Sequence, residues 1–441
     1  MTTSAGSLEQ TTALQDSLRI LRLASPLALI QLAQVAISTT DLIVLGASST
    51  TALAAGALGF AIFNLIRTMG FGVLVGTSNL VARTGDQFAE IFWAAGLTAT
   101  CNAVIAMGCV AVLGWNLSAF NNDPAVIEQT RHYLWAIAPG YLPLFAFYVC
   151  RGVLVGHEKA NGLLMVTLCV VALNGFLDVG FMFGRFGLPE LGVFGVALSS
   201  TLCFLFQAVV TIGLVFRGAR YWPVPKSNVI THVPPLLKIG LPTAATYGSE
   251  AGFTVVLTIF AGWLGTNALA AHAVLNQLVY VAFMLSVGMS HATSVLISGA
   301  GDDTQRRRFG LTGISLGGLI AFVFAILFLL VPNPLAQIFL GDDLSALNVV
   351  LLVMPIAALL VPLDFTQNIA IGAVRAVDRA GTGFTLTATI YWVLGVPLAW
   401  LLAFPMEIGL SGVWLGNGVG LLGASVALLV LFLRQTGPQD G

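Results

Sequence analysis

Four carboxylates lie inside long apolar runs of this chain: Asp41, Asp178, Glu250 and Asp364. Each has polar company at helical spacing. Gln34, Ser38 and Asp41 stand at i, i+4 and i+7, and Asn174 and Asp178 at i and i+4. Thr246 and Thr254 flank Glu250 by one turn on either side, and Gln367 and Asn368 follow Asp364 by one turn. Residues at these spacings share a patch of helix surface. A carboxylate among oxygen donors can hold a desolvated Na+ or take up a proton reversibly. It can also be structural, tied to a neighbouring helix or close enough to a helix end to reach water. An ionised acid near a bilayer centre costs at least ~2.5–3.5 kcal/mol on insertion scales, and such residues commonly mark ion or substrate paths. Four of them together favour a functional reading.

The elements that must position these acids are membrane helices. The chain has 441 residues, 57% apolar and 8% charged, with a mean hydropathy of +0.94; a soluble domain carries about 25% charged residues. A span needs roughly 20 mostly apolar residues. Twelve such stretches occur, near 22–46, 52–80, 90–115, 131–155, 162–184 and 192–216, then near 236–264, 268–299, 309–331, 347–376, 382–404 and 408–433. Segments 116–130 and 332–346, with Asp123-Pro124 in one and Pro334 and Asp342-Asp343 in the other, read as outer loops or short surface helices. Of the 18 lysines and arginines, 15 fall in the N-terminus, the even-to-odd loops or the C-terminus; Arg131 and Arg185 sit near the opposite side, and Arg67 lies inside the second span. By the positive-inside rule both termini are cytoplasmic.

The chain also repeats itself. Leu23, Pro26, Ala52-Leu53-Ala54-Ala55, Gly72, Thr77-Ser78, Gly85-Asp86 and Pro139 recur in kind 216 residues later, at Ile239, Pro242, Ala268-Leu269-Ala270-Ala271, Gly288, Thr293-Ser294, Gly301-Asp302 and Pro355. Further on the offset is 217: Gly192, Gly195 and Val196 return as Gly409, Gly412 and Val413. Each half has an even number of spans, so the repeat is parallel, with a pseudo-twofold axis along the membrane normal. The expected fold is all-α: twelve transmembrane helices in two six-helix lobes, residues 18–216 and 236–434. A cytoplasmic tail (1–17), an inter-lobe linker (217–235) and a C-terminal tail (435–441) complete it. The acids are not copies of one another, since an offset of 216 places Asp41 at Leu257 and Asp178 at Leu394.

Other features exclude function classes. Cys101, Cys109, Cys150, Cys169 and Cys203 lie in apolar runs without a CxxC pair and read as packing residues. His157-Glu158-Lys159 lacks metalloprotease spacing, and no P-loop occurs, so the chain is read as no enzyme, with no ATP hydrolysis and no cofactor. No basic n-region or cleavage pattern precedes the first span, which is expected to act as its own insertion signal. Arg67 is a candidate partner for one of the acids. Asn64, His272, Asn276, Gln277 and His291 could line a path. Tyr141, Phe145, Phe147, Tyr247 and Trp392 could wall a cavity, although ordinary packing serves equally well for each singly.

Several stretches resemble the multidrug and toxic compound extrusion (MATE) family of antiporters, with the nearest look to its NorM-like branch. They are ISTTDLIVLG (37–46), LGVFGVAL (191–198), LAAHAVLNQLVYVAFMLSVGMSHATSVLISGAGD (269–302), VPLDFTQNIAIGAVRA (361–376) and YWVLGVPLAWLLAF (391–404). The resemblance covers nearly all of the chain after about residue 18. It implies a secondary active efflux antiporter of the bacterial inner membrane. Such a protein exports organic cations or amphiphiles in exchange for Na+ or H+ by alternating access among membrane lipids. No nucleic-acid partner is expected, and a monomer is the expected state because the fold needs only one chain. By resemblance Asp41 takes part in cation coupling and drug release. Glu250 and Asp364 match the acidic pair that NorM-like members use as a cation site. Asn174 and Asp178 match a first-lobe arrangement beside Asp41, to which Ser200 or Thr201 would add a hydroxyl. Much of the NorM-like branch is expected to carry Asn at position 178, so this chain holds acids in both lobes. Na+ could sit at Glu250 and Asp364 or at Asp41, Asn174 and Asp178. The rival readings are a lipid-linked precursor flippase of the same superfamily, for which the interior is acidic where a basic one is expected, and a cation channel, for which no selectivity-filter-like segment is present.

Overall fold

The computed structural model describes residues 3–84, 87–117, 124–159, 161–219, 225, 228–340 and 344–437. Gly85-Asp86, Asp123, Arg220, Lys226, Asp342-Asp343 and the last four residues lie outside this set, as does much of the 217–235 segment. Helices account for nearly all that is described, and no strand occurs among the described residues. In the first half these are α1 (Thr3–Ser48), α2 (Thr50–Leu74), α3 (Gly76–Arg83), α4 (Phe88–Trp115), α5 (Pro124–Ile137), α6 (Tyr141–Gly156), α7 (Asn161–Phe183) and α8 (Gly192–Ala219). The second half holds α9 (Val233–Trp263), α10 (Thr266–Ser298), α11 (Asp303–Leu330), α12 (Pro332–Leu340), α13 (Leu344–Ala376), α14 (Ala380–Thr389), α15 (Val396–Ala403) and α16 (Leu410–Gln435).

Eleven stretches among the described residues are long and apolar enough to cross a membrane. They correspond to the expected spans except the seventh, α9. That helix has 31 residues, about 46 Å at 1.5 Å per residue, ample for a ~30 Å hydrocarbon core. Its polar middle, Thr243 to Glu250, lowers its hydropathy. The fourth span is not one helix: a 3-10 turn at Ala138–Gly140 joins α5 to α6, where Pro139 removes a backbone donor. The eleventh span is broken by a π-helical turn, Ile390–Gly395, between α14 and α15. Pro397 follows at the start of α15. Its missing N–H and its ring disturb the preceding turn, and a wider turn with i→i+5 bonds absorbs the disturbance.

The packing divides the chain into two units, one of residues up to Ala28 together with Thr246 onward, the other of Leu29–Ala245. The division falls inside two continuous helices, α1 and α9, just after Pro26 and Pro242. The beginning of α1 belongs with the second half, and the beginning of α9 with the first. Glycine makes both exchanges possible. A Cβ at Gly288 would come within 2.6 Å of the Ala28 backbone nitrogen, and a Cβ at Gly72 within 2.6 Å of the Ala244 Cα. Gly72 and Gly288 are repeat mates, as are Ala28 and Ala244, so one backbone-to-backbone approach is made twice. At the start of α1, Asp16 pairs with Arg308, and Arg19 lies over the Phe309 ring at 5.6 Å.

Gly72→Ala and Gly288→Ala are each expected to destabilise the purified protein by about 1–3 kcal/mol, the usual effect of overpacking a tight contact. Gly108→Ala, where a Cβ meets nothing within 4 Å, is expected to be neutral. Thermal unfolding in detergent measures all three.

Candidate functional site

In the unit of Leu29–Ala245, three helices bring acids and hydroxyls together. Asp41 comes from α1, Asn174 and Asp178 from α7, and Ser199 and Ser200 from α8; all five are buried. Ser200 Oγ donates to Asp41 Oδ2 (3.2 Å). Asn174 Nδ2 donates to Asp178 Oδ1 (3.3 Å), and Ser199 Oγ lies against the same oxygen and 2.8 Å from the Val196 carbonyl, its single proton shared between these two acceptors. Asp41 and Asp178 share this buried cluster and lie close enough to interact electrostatically. Two carboxylates so close repel unless a proton or a cation stands between them. Asp41 Oδ1, Asp178 Oδ2 and Asn174 Oδ1 are buried and have no hydrogen-bond partner. Three inward oxygens from two carboxyls and an amide form a donor set suited to a hard monovalent cation, and the carboxyl pair suits a proton equally. Tyr133, fully buried on α5, stands close enough to both acids to interact electrostatically.

The second unit holds the other two acids. Gln367 Nε2 on α13 donates to Glu250 Oε1 on α9 (2.8 Å). Asp364, one turn before Gln367, lies within electrostatic reach of Glu250. Both acids are half-buried. Asn368 faces α10 instead, donating to Ser286 Oγ (2.8 Å), while Ser290 Oγ donates to the Asn368 carbonyl (2.6 Å). The π turn supplies the wall beside Glu250. Trp392 Nε1 donates to Ser249 Oγ (3.0 Å), and Tyr391 stacks on Phe253 at 4.6 Å. Gly252 leaves room for the indole, which a Cβ there would meet at 3.2 Å.

The structure sorts the remaining candidates. Thr201 turns away from the acids and donates to the Ala136 carbonyl (2.8 Å). Ser38 bonds back to the Val35 carbonyl, and Gln34 is half-buried one turn before it. Arg67 donates to Asn64 Oδ1 (3.1 and 2.5 Å) and to Tyr148 Oη (3.4 Å). Thr254 donates to the Glu250 carbonyl rather than to its carboxyl. Ser199 and Tyr133 join the first-unit cluster although their sequence context does not single them out. For Ser199 the available signal is its place in a run of three hydroxyls, 199–201.

The repeat mate of Asp178 also needs correcting. Gly195 packs on Phe181, and Gly412 makes the same close approach to Leu402 and Ala403. Between α7 and the eleventh span the offset is therefore 221, which moves the mate of Asp178 from Leu394 to Ala399.

Comparison with known proteins decides the family. The MatE family model matches residues 26–180 and 242–401, two segments that start 216 residues apart at Pro26 and Pro242. The chain belongs to the MatE family. It is 36% identical to the probable multidrug resistance protein NorM of Pseudomonas aeruginosa, covering 95% of this chain and 89% of that one. It is 30% identical to the multidrug resistance protein NorM of Burkholderia vietnamiensis, over 93% and 91%. In fold it is similar to the Vibrio cholerae MATE transporter VcmN in the bent form (TM-score 0.86, 17% identity, 97% and 98% covered). It is also similar to the eukaryotic MATE transporter AtDTX14 (TM-score 0.83, 16% identity, 96% and 98% covered). The MatE chain is thus an all-helical, multi-pass membrane protein with two lobes.

Removing a hydroxyl that serves a buried acid should cost about 1–3 kcal/mol. Ser199→Ala and Ser200→Ala are expected to lower the unfolding midpoint and to change its response to Na+ at constant ionic strength. Thr201→Ala is expected to leave the Na+ response as in the wild type. An equal response in all three variants would show that Ser199 and Ser200 play no part in any Na+ effect.

Proposed function

We propose that the chain is a secondary active multidrug efflux antiporter that exports organic cations or amphiphiles in exchange for Na+ or H+. The observation that carries this reading is the buried Asp41–Asp178 pair with its unpartnered oxygens, in a chain whose relatives bear the name multidrug resistance protein. The carboxylates attract a positively charged substrate while apolar helix faces bury its body. Uptake of Na+ or H+ by the same carboxyls removes that attraction and releases the substrate. Each ligand weakens the other, so the coupling is reciprocal, and alternating access of the lobes gives it direction. The lysine and arginine distribution supports a bacterial inner-membrane protein with both termini in the cytoplasm. The carboxyl oxygens themselves hold the coupling ion, so no resident cofactor is required.

The acids of the two lobes have separable roles under this reading. In a pump-deficient bacterial host, Asp41→Asn is expected to reduce resistance to cationic dyes to the level of the empty vector, with the protein still present in the membrane. Full resistance would remove Asp41 from the coupling scheme. If the first lobe holds the coupling ion, Asp178→Asn abolishes dye counterflow in proteoliposomes while Glu250→Gln and Asp364→Asn retain it; if the second lobe does, the pattern reverses. Imposing ΔpH and ΔNa+ separately identifies the ion. Electrogenic flux with no counter-substrate would replace the antiporter by a channel.

A further inference from the structure

A second pair of buried polar groups lies in the other lobe, apart from the four acids. His272 on α10 and Trp414 on α16 are 4% and 3% exposed, with ring centroids 5.7 Å apart at 62°. His272 Nδ1 and Trp414 Nε1 are both buried without a hydrogen-bond partner. Thr258 on α9 fixes the imidazole. Its single hydroxyl proton goes to the Thr254 carbonyl (2.9 Å), so toward His272 Nε2 (3.2 Å) its oxygen accepts and Nε2 carries the hydrogen. The neutral ring then presents a lone pair at Nδ1, while the indole Nε1–H can only donate. One nitrogen asks for a donor and its neighbour for an acceptor. Each left unmet bears the cost of its desolvation. The repeat mates of His272 and Trp414 are Gly56 and Ala197, so the pair belongs to the second half alone.

We infer that His272 and Trp414 together bind one small hydroxylic ligand, a buried water molecule, that accepts from the indole and donates to the imidazole. A cation would be repelled by the indole N–H, and an anion has no proton for Nδ1. Ala271, Leu275, Leu410 and Val413, sequence neighbours of the two rings, belong to the buried apolar core of this unit. Such a water, held through two rings and a threonine, ties α9, α10 and α16 together. The inference is independent of the transport reading.

The test is a double-mutant cycle on the full chain in detergent. Gln at 272 keeps a donor for Thr258 and removes Nδ1; Phe at 414 keeps a ring and removes the N–H. His272→Gln and Trp414→Phe are each expected to lower the unfolding midpoint by about 1–3 °C, and the double variant by clearly less than their sum, because the two share one ligand. Additive losses, or no loss, would overturn the shared site. Radiolytic footprinting gives a second readout. Trp414 is expected to be oxidised despite its burial in the wild type and several-fold less in His272→Gln. A protected wild-type Trp414 would sink the inference. So would a midpoint that rises when bromide replaces gluconate and does so only with His272 intact, since that would make the occupant an anion.

Discussion

A carboxyl group has no place within a lipid-spanning helix unless something nearby meets its charge, and that requirement arranges both lobes of this protein. In one unit the demand is met by concentration. Two acids from different helices share a buried cluster with two serines and an asparagine, and three oxygens are left facing inward. In the other it is met by a single amide at 2.8 Å and by partial exposure. The first arrangement is the more demanding, because neither carboxyl can be ionised comfortably while its neighbour is. α1, α7 and α8 meet at that point through these side chains.

The close approaches at Gly72 and Gly288 give the scaffold a related economy. Neither half of the sequence is a self-contained bundle, since each unit borrows the opening segment of the other half's first helix. The borrowing changes hands two or three residues after Pro26 and Pro242. A proline inside a helix removes one backbone bond and weakens the ladder over the turn before it. The helix is thus most yielding next to the place where its packing partner changes.

Much of this was legible in the sequence because membrane helices are long, the repeat is well kept, and an acid within an apolar run is conspicuous. What escaped is the rotation of each helix about its own axis. Both lipid and protein interior are apolar, so α8 has no polar face to show which side points inward. The run Ser199-Ser200-Thr201 therefore offered three hydroxyls without ranking them. The structure turns Ser199 and Ser200 toward the acids and Thr201 toward the Ala136 carbonyl. A charge within the second span suggests an acidic partner for Arg67, yet the guanidinium bonds to Asn64 and Tyr148. Backbone irregularities hid for a similar reason. A π turn or a 3-10 junction leaves the hydropathy of a span unchanged while redirecting every side chain beyond it.

The π turn bears directly on how the two lobes came to hold different chemistry. After α6 the backbone bond from Lys159 N to Leu154 O recurs as Arg379 N to Val374 O, an offset of 220. After α7 the bond from Arg185 N to Gly180 O recurs as Met406 N to Leu401 O, an offset of 221. One residue more lies between the second pair of landmarks, and a π turn is how a helix accommodates one extra residue. With the register so corrected, the first-lobe contact of Asp178 with Ser199 corresponds to Ala399 against Gly416, where a Cβ on the glycine would come within 2.3 Å of the Ala399 backbone. The same helix crossing is a hydrogen-bonded acid in one lobe and a bare backbone approach in the other. In the second lobe the π turn carries Tyr391 and Trp392, which meet α9 at Phe253 and Ser249. The acid in that lobe sits on α9 itself, at the repeat mate of Gln34. The same repeat therefore places a backbone approach in one lobe where the other has an acid, and the acid of the second lobe stands on α9 beside Ser249, which Trp392 meets.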